Sequence, residues 1–455
     1  MAGTTVPGTT PSSATLRVEP ADGLIDVERR IRLQGLLPHE RVTVRSSTVR
    51  GADATWRSHA VFEADAQGTV DLGRDTPLPG GSYEGVSAMG LLWSQTPDTE
   101  GSRELFGRDV TRPLATRIEA LREGAAEPLQ AVLTQSLCAP GVQRQEVRED
   151  GLVGTLFLPA GPGPHPAVVV LNGSGGGINE PRAALYASHG YAALALGYFK
   201  APGLPDYISN TPLEYFKTGL DWVRRTQRPL HGFVAISGQS RGGELVLLLA
   251  TLFPQDVSAV LAYVPGALVH GGQAAADPAV GRNGPAWLYR GQPLVHVWQN
   301  NRTATWEPYD TGPLPRRNER AIRTALQDPE AVARARIPVE KIQAPVLLLS
   351  ATDDGSWPSS LYTQMVADKL AEVKHPHDVQ RHDYADAGHS ILFPYVPTTQ
   401  LVYLHPVSGR SSTTGGTPAN NAHADAHSWA AARRFLAAAV DAHVGAASQE
   451  PGSPA

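Results

Sequence analysis

The sequence predicts an α/β catalytic domain preceded by an all-β sandwich domain. Three observations lead there. Short runs alternating apolar and polar residues, with turn residues between them, fill 14–113. From about residue 151, buried-type strands alternate with amphipathic helices, the pattern of a mostly parallel sheet covered on both faces. One of those strands is joined to the next helix by a Gly-x-Ser-x-Gly pentapeptide. Length and composition agree: 455 residues can bury one large core and a smaller one, and 41% hydrophobic with 18% charged residues marks a globular chain. The expected division is a disordered arm at 1–13, the sandwich at 14–118, a connector at 119–150, the α/β domain at 151–445 with a lid or cap-like insertion at 266–335, and a disordered tail at 446–455.

In the first domain TLRVEP, RIRLQGL, RVTVRSSTV, TWRSHAVFEA and GTVDLG read as half-buried strands of an immunoglobulin-like sandwich. Nothing among them suggests catalysis. The connector carries a short helix over TRIEALREG. Beyond it VGTLFLP, HPAVVVLNG, YAALALGYF, GFVAISG, SAVLAYVPG and PVLLLSATDD read as strands. PRAALYASHG, LEYFKTGLDWVRRTQ, GGELVLLLATLF and HSWAAARRFLAAAVDAHV read as helices, the second with Leu213, Phe216, Leu220 and Val223 at helical spacing. The stretch 266–335, rich in Gly, Pro, Asn and Arg, separates two strands.

The net charge of −5 argues against nucleic-acid binding, which needs clustered Lys and Arg. No apolar run reaches the ~18 residues of a membrane span. The N-terminus has neither the basic nor the apolar region of a signal peptide. A single cysteine, Cys138, excludes an intramolecular disulfide. The cytoplasm is the expected location, without nucleic-acid or membrane partners, and no cofactor is expected.

The pentapeptide Gly238-Gln239-Ser240-Arg241-Gly242 follows HGFVAIS and precedes a helix, with a third glycine at Gly243. Small residues permit a sharp turn that lifts a serine hydroxyl above a sheet at a helix N-terminus; this is the nucleophile turn of an α/β-hydrolase. Serine needs a base, and the base a third group to orient it. In this fold the chain order is Ser, then an acid, then His. The strand APVLLLSATDD ends in Asp353-Asp354, and Asp354 is preferred because Asp354-Gly355-Ser356-Trp357-Pro358 has the shape expected after that strand. Of the 15 histidines, His389 stands in the loop Asp386-Ala387-Gly388-His389-Ser390 beyond the acid. His382, His405, His423 and His427 compete less well. His423 and His427 lie four apart, half of a metal-site pattern, but no third ligand is evident and a solvated helix start is the plainer reading.

The strand AVVVL runs into Asn172-Gly173-Ser174-Gly175-Gly176-Gly177. In an α/β-hydrolase the oxyanion takes one N–H from the residue after the nucleophile, here Arg241, and one from the loop after this strand. Ser174 is the expected donor, with Gly175 second. The loop lacks the Lys and spacing of a phosphate-binding loop.

At this point the chain resembles the family of acyl-CoA thioesterases and bile acid-CoA:amino acid N-acyltransferases. The likeness lies in ATLRVEPADGLIDVERRIRLQGLLP, GSYEGVSAMGLLWSQTP and FGRDVTRPL of the first domain. It continues through GLVGTLFLPAGPGPHPAVVVLNGSGGG, ALYASHGYAALALGYF, LEYFKTGLDWV, SGQSRGGELVLLLAT, DDGSWPSS and AGHSILFPY of the second. It implies the triad Ser240, Asp354 and His389 and a small-molecule acyl thioester substrate. The conjugating branch uses Cys at the nucleophile; Ser here favours transfer to water, because an oxygen ester is less prone to aminolysis than a thioester. The expected function is therefore serine-dependent acyl-CoA thioester hydrolysis, with an esterase, lactonase or acyltransferase using the same triad as the alternative. Gly-Gln-Ser-Arg-Gly departs from the family's usual surroundings of the nucleophile. The insertion 266–335 is expected to shape the acyl pocket.

Overall fold

The protein is described from a computed structural model, which covers residues 14–448; the expected disordered arm and residues 449–455 of the expected tail lie outside the described residues. The chain forms two units. One runs to Ser136 and includes Tyr395–Thr399, and the other holds Leu137–Pro394 and the chain from Gln400 onward.

The first unit is built from β1 (Thr15–Glu19), β2 (Asp22–Leu24), β3 (Arg30–Gln34), β4 (Arg41–Arg50), β5 (Ala54–Glu63), β6 (Val70–Asp71), the short helix α1 (Gly90–Trp93), β7 (Thr96–Pro97), β8 (Leu114–Arg122) and β9 (Leu129–Ser136). Among the described residues these strands form a three-stranded sheet, β1-β3-β6, and a six-stranded sheet, β2-β9-β8-β4-β5-β7. Alternation decides which side chains are hidden. In β4, Val42, Val44, Ser46, Thr48 and Arg50 are buried and their neighbours are not. The buried hydroxyls are satisfied locally, with the Gln95 amide donating to Ser46 Oγ at 2.8 Å and Thr48 Oγ1 at 2.9 Å.

The helix expected over TRIEALREG is instead the strand β8. Its residues are good helix formers, but Thr116, Ile118 and Ala120 are buried while Ala115 and Arg117 are exposed, a period of two. β8 pairs antiparallel with both β4 and β9, so tertiary pairing overrides local propensity. The boundary expected at 118 thus falls inside a strand. The expected connector holds the end of β8, all of β9, and β10 (Gln143–Val147) of the second unit.

After β10 come β11 (Val153–Leu158), β12 (Ala167–Leu171), α2 (Glu180–Ser188), β13 (Ala192–Gly197), β14 (Thr211–Pro212), α3 (Glu214–Gln227), β15 (Val234–Gln239), α4 (Arg241–Leu252) and β16 (Ala259–Tyr263). A long excursion follows, with β17 (Trp287–Tyr289), β18 (Gln292–Pro293), α5 (Glu307–Asp310), α6 (Asn318–Ala325) and α7 (Pro329–Ala335). The chain then returns through β19 (Val346–Ala351), α8 (Ser359–Glu372), β20 (Val379–Tyr384), the hairpin β21 (Val402–Leu404) and β22 (Ser411–Thr413), and α9 (Pro418–Ala447).

Eight of the described strands form one sheet in the order β10-β11-β13-β12-β15-β16-β19-β20. β11 runs antiparallel to both its neighbours, and every pair from β13 to β20 is parallel. This is an α/β-hydrolase sheet. Its central strands are buried throughout, as in Ala167–Leu171 and Ala259–Tyr263, because both faces are covered. α9 begins nine residues before the helix read from the sequence, since Thr417 caps it by accepting the Asn420 N–H and Pro418 suits the first helical position. It also runs to Ala447, past the expected start of the tail at 446. No helix among the described residues is long and apolar enough to cross a membrane.

Candidate active site

Ser240 sits between β15 and α4 with φ 59° and ψ −118°, a left-handed conformation unusual for a side-chain-bearing residue. The flanking glycines make the turn possible. A Cβ at 238 would lie 2.1 Å from Gly242 O, and one at 242 would lie 2.6 Å from Asn172 O. The Ser240 N–H donates to Tyr263 O at 2.8 Å, which ties the turn to the next strand.

His389 lies in the loop after β20, 9% exposed. Its Nδ1 is 2.7 Å from Asp354 Oδ2, and its Nε2 is 2.7 Å from Ser240 Oγ. A carboxylate only accepts, so Nδ1 carries the proton and Nε2 is left to accept from the serine hydroxyl. The loop is held by the His389 N–H donating to Thr414 O at 2.7 Å. Trp357 stands edge-on to the imidazole, with ring centroids 5.9 Å apart. The two aspartates differ sharply. Asp354 is 3% exposed, and its second oxygen accepts from the Ser356 and Trp357 N–H groups at 2.8 and 3.1 Å. Asp353 instead pairs with Arg317 at 2.9 Å and accepts the Gly416 N–H at 2.8 Å.

The loop after β12 passes close by Ser240. A Cβ at Gly173 would sit 3.1 Å from Ser240 Cβ and 3.6 Å from its Oγ, so glycine lets the loop approach. The loop is internally braced, with the Asn172 amide donating to Gly176 O at 2.6 Å and Tyr198 OH donating to Asn172 O at 2.8 Å. No acceptor among the described residues takes the N–H of Ser174, Gly175 or Arg241.

In the helix after Ser240 begins a buried polar knot that sequence reasoning missed. The Arg241 guanidinium is 2.8 Å from Glu244 Oε2 and donates to Gly271 O at 2.8 Å. Glu244 is fully buried and also faces His270 Nδ1 at 3.0 Å, while Trp287 Nε1–H donates to it at 2.8 Å. His270 Nε2 is 2.9 Å from Tyr362 OH. Burial pushes the Glu244 carboxyl up, but the Arg241 charge and the His270 and Trp287 hydrogen bonds outweigh it, leaving it below the ordinary carboxylate value. Only the Arg241–Glu244 spacing, three apart on one helix, was visible as a local signal. Removing one partner strands a buried charge. Glu244→Ala is expected to lower the unfolding free energy by about 3–5 kcal/mol. Urea titration measures this, and a loss below about 1 kcal/mol would contradict it.

The other histidines are elsewhere. His427 Nδ1 is 2.9 Å from Tyr384 OH, His423 stacks on His427, and the rings of His382 and His427 are 5.4 Å apart. Among the described residues no group of three or more His, Cys, Asp or Glu side chains is arranged to hold a metal. His405 is the exception in position, because its Nε2 lies 3.0 Å from Ser174 Oγ.

Residues 26–149 match the family model of the acyl-CoA thioester hydrolase/BAAT N-terminal region, and residues 211–442 match that of the BAAT/acyl-CoA thioester hydrolase C terminus. Acyl-coenzyme A thioesterase 1 of Mus musculus is 32% identical, covering 93% of this chain and 96% of its own length. The mitochondrial acyl-coenzyme A thioesterase 2 of Mus musculus is 33% identical, covering 93% and 89%. Among solved structures, a dienelactone hydrolase-like promiscuous phosphotriesterase from metagenomic libraries is 19% identical and covers 65% of this chain and 98% of its own, with a TM-score of 0.39. With both domains matched and similarity running the length of the chain, the protein belongs to the acyl-CoA thioester hydrolase/BAAT family.

Proposed function

We propose that the protein is a serine hydrolase that cleaves acyl-CoA thioesters through an acyl-Ser240 intermediate. The observation that carries this reading is the unbroken line from Ser240 Oγ through His389 to Asp354, 2.7 Å at each step. His389 Nε2 takes the hydroxyl proton as Ser240 Oγ attacks the thioester carbonyl. The C–S bond breaks, and the CoA sulfur takes the proton held on His389 and leaves as the thiol, which returns the imidazole to its neutral form. Asp354 keeps the imidazole in the tautomer this requires and stabilises it when charged. His389 then draws a proton from water as its oxygen attacks the acyl ester; the ester C–O bond breaks, the carboxylic acid leaves, and His389 returns the proton to Ser240 Oγ. The N–H groups of Arg241 and Ser174, with Gly175 as the other candidate in the same loop, face the developing oxyanion. Each such donor is worth about 10²–10³ in rate.

The reading is tested with a panel of acyl-CoA chain lengths, following release of free thiol, with and without glycine or taurine. Free acid with no amide product is expected under all conditions. Cleavage of oxygen esters alone, with every acyl-CoA inert, would favour an esterase instead. Amide formation would move the protein to the conjugating branch.

A further inference from the structure

The loop of the β21–β22 hairpin lies over the loop that follows β12. A Cβ at Gly175 would sit 3.7 Å from Pro406 Cγ, and the Lys200 ammonium donates to Pro406 O. In this hairpin loop His405 is 5% exposed, with Nε2 3.0 Å from Ser174 Oγ. Its other ring nitrogen faces two backbone donors, Val407 N–H at 3.2 Å and Ser408 N–H at 3.4 Å. A nitrogen facing two N–H groups must offer its lone pair. The neutral ring therefore carries its proton on Nε2 and donates it to Ser174 Oγ. Burial, with the Lys200 and Arg241 charges nearby, pushes the imidazole down to about 4, which keeps it neutral. Ser174 Oγ is thus the acceptor of this bond, and its own O–H is turned away from the imidazole. No acceptor for that proton is found among the described residues, although the adjacent Gly173 lies against the nucleophile.

We infer that the Ser174 hydroxyl is a further donor to the oxyanion, and that His405 is the positioning residue that aims it. This rests on the proposed role of Ser240. The His405 bond occupies one lone pair of Ser174 Oγ and leaves its hydrogen free to meet negative charge. A donor set before the reaction does not have to reorient as charge develops. The inference concerns the side chain of Ser174 and is separate from its backbone N–H, which any residue at that position would keep.

The test uses the full chain and the best acyl-CoA of the chain-length panel. Ser174→Ala is expected to lower kcat about 10- to 100-fold with KM nearly unchanged, because the contact strengthens only in the transition state. Ser174→Thr, which keeps the hydroxyl, restores most of the rate. His405→Leu should match Ser174→Ala, and the double variant should lose no more than either single one. His405→Gln, whose amide can donate in place of Nε2–H, should recover most activity; this variant also serves if the leucine variant folds poorly. Ser174→Ala within about twofold of wild type would overturn the inference. So would a loss carried by KM, or a further tenfold or so fall when His405→Leu is added to Ser174→Ala. Ser240→Ala is run alongside. If it stays active, the reading of the nucleophile fails; if it is inert while Ser174→Ala is unimpaired, only the present inference fails.

Discussion

Ser240→Ala is expected to reduce kcat/KM by about 10⁴–10⁶, leaving only what binding and the oxyanion donors supply. The fold should survive, because the turn depends on the flanking glycines and on the Ser240 N–H bond to Tyr263 O, neither of which involves the hydroxyl. The same variant should fail to react with a fluorophosphonate probe that labels the wild type. Retention of near wild-type hydrolysis would remove Ser240 from the mechanism and with it the acyl-enzyme. The left-handed backbone at 240 adds a second readout. Ser240→Gly should be equally inactive yet more stable than Ser240→Ala by about 1 kcal/mol, since glycine adopts that conformation without strain. A glycine variant less stable than the alanine one would show that the backbone there is not strained.

The second large effect is expected at the acid. Asp354→Asn should cost about 10⁴ in kcat, because an amide facing Nδ1 favours the tautomer with its proton on Nε2, and that tautomer cannot take a proton from Ser240. Asp353→Asn should leave kcat nearly intact. Its side chain serves Arg317 and the Gly416 N–H, and the Arg317 pair is partly exposed, at 22% and 45%. Such a pair is worth at most about 1 kcal/mol of stability. Steady-state kinetics of the two variants side by side decide the matter, and the opposite ranking would exchange their roles.

Much of this was legible because the signals are local. Strand, glycine-flanked serine and helix stand next to each other around Ser240, and the order Ser240, Asp354, His389 needs no knowledge of distance. The neighbouring aspartates were harder. They differ in direction rather than in kind, and only the fold turns Asp354 toward the imidazole and Asp353 toward Arg317. β8 was misread for the opposite reason, since TRIEALREG satisfies helix propensity and only pairing with β4 and β9 reveals its alternation. His405 competes less well as the base because it does not follow a Gly in a loop, and its bond to Ser174 spans 231 positions, a range at which no pattern in one sequence encodes a contact. Glu244 stands in the first turn of α4, and nothing local in the sequence shows that His270 and Trp287 converge on it.

The buried knot around Glu244 bears on how new specificities arise on this scaffold. The excursion between β16 and β19 has a fixed root, His270, Gly271 and Trp287, bound directly to the helix that starts after Ser240. Its outer part holds contacts of its own, the stacked Trp298–Trp306 pair with centroids 4.2 Å apart and the Arg282–Asp310 ion pair at 2.6 Å, and meets the β21–β22 hairpin through Arg410–Asp310 and Tyr309–Ser412. Library design and natural drift alike should find the outer part permissive and the root unforgiving. A graft that swaps the whole excursion for that of a relative should carry its root residues along, or the reactive turn loses its foundation.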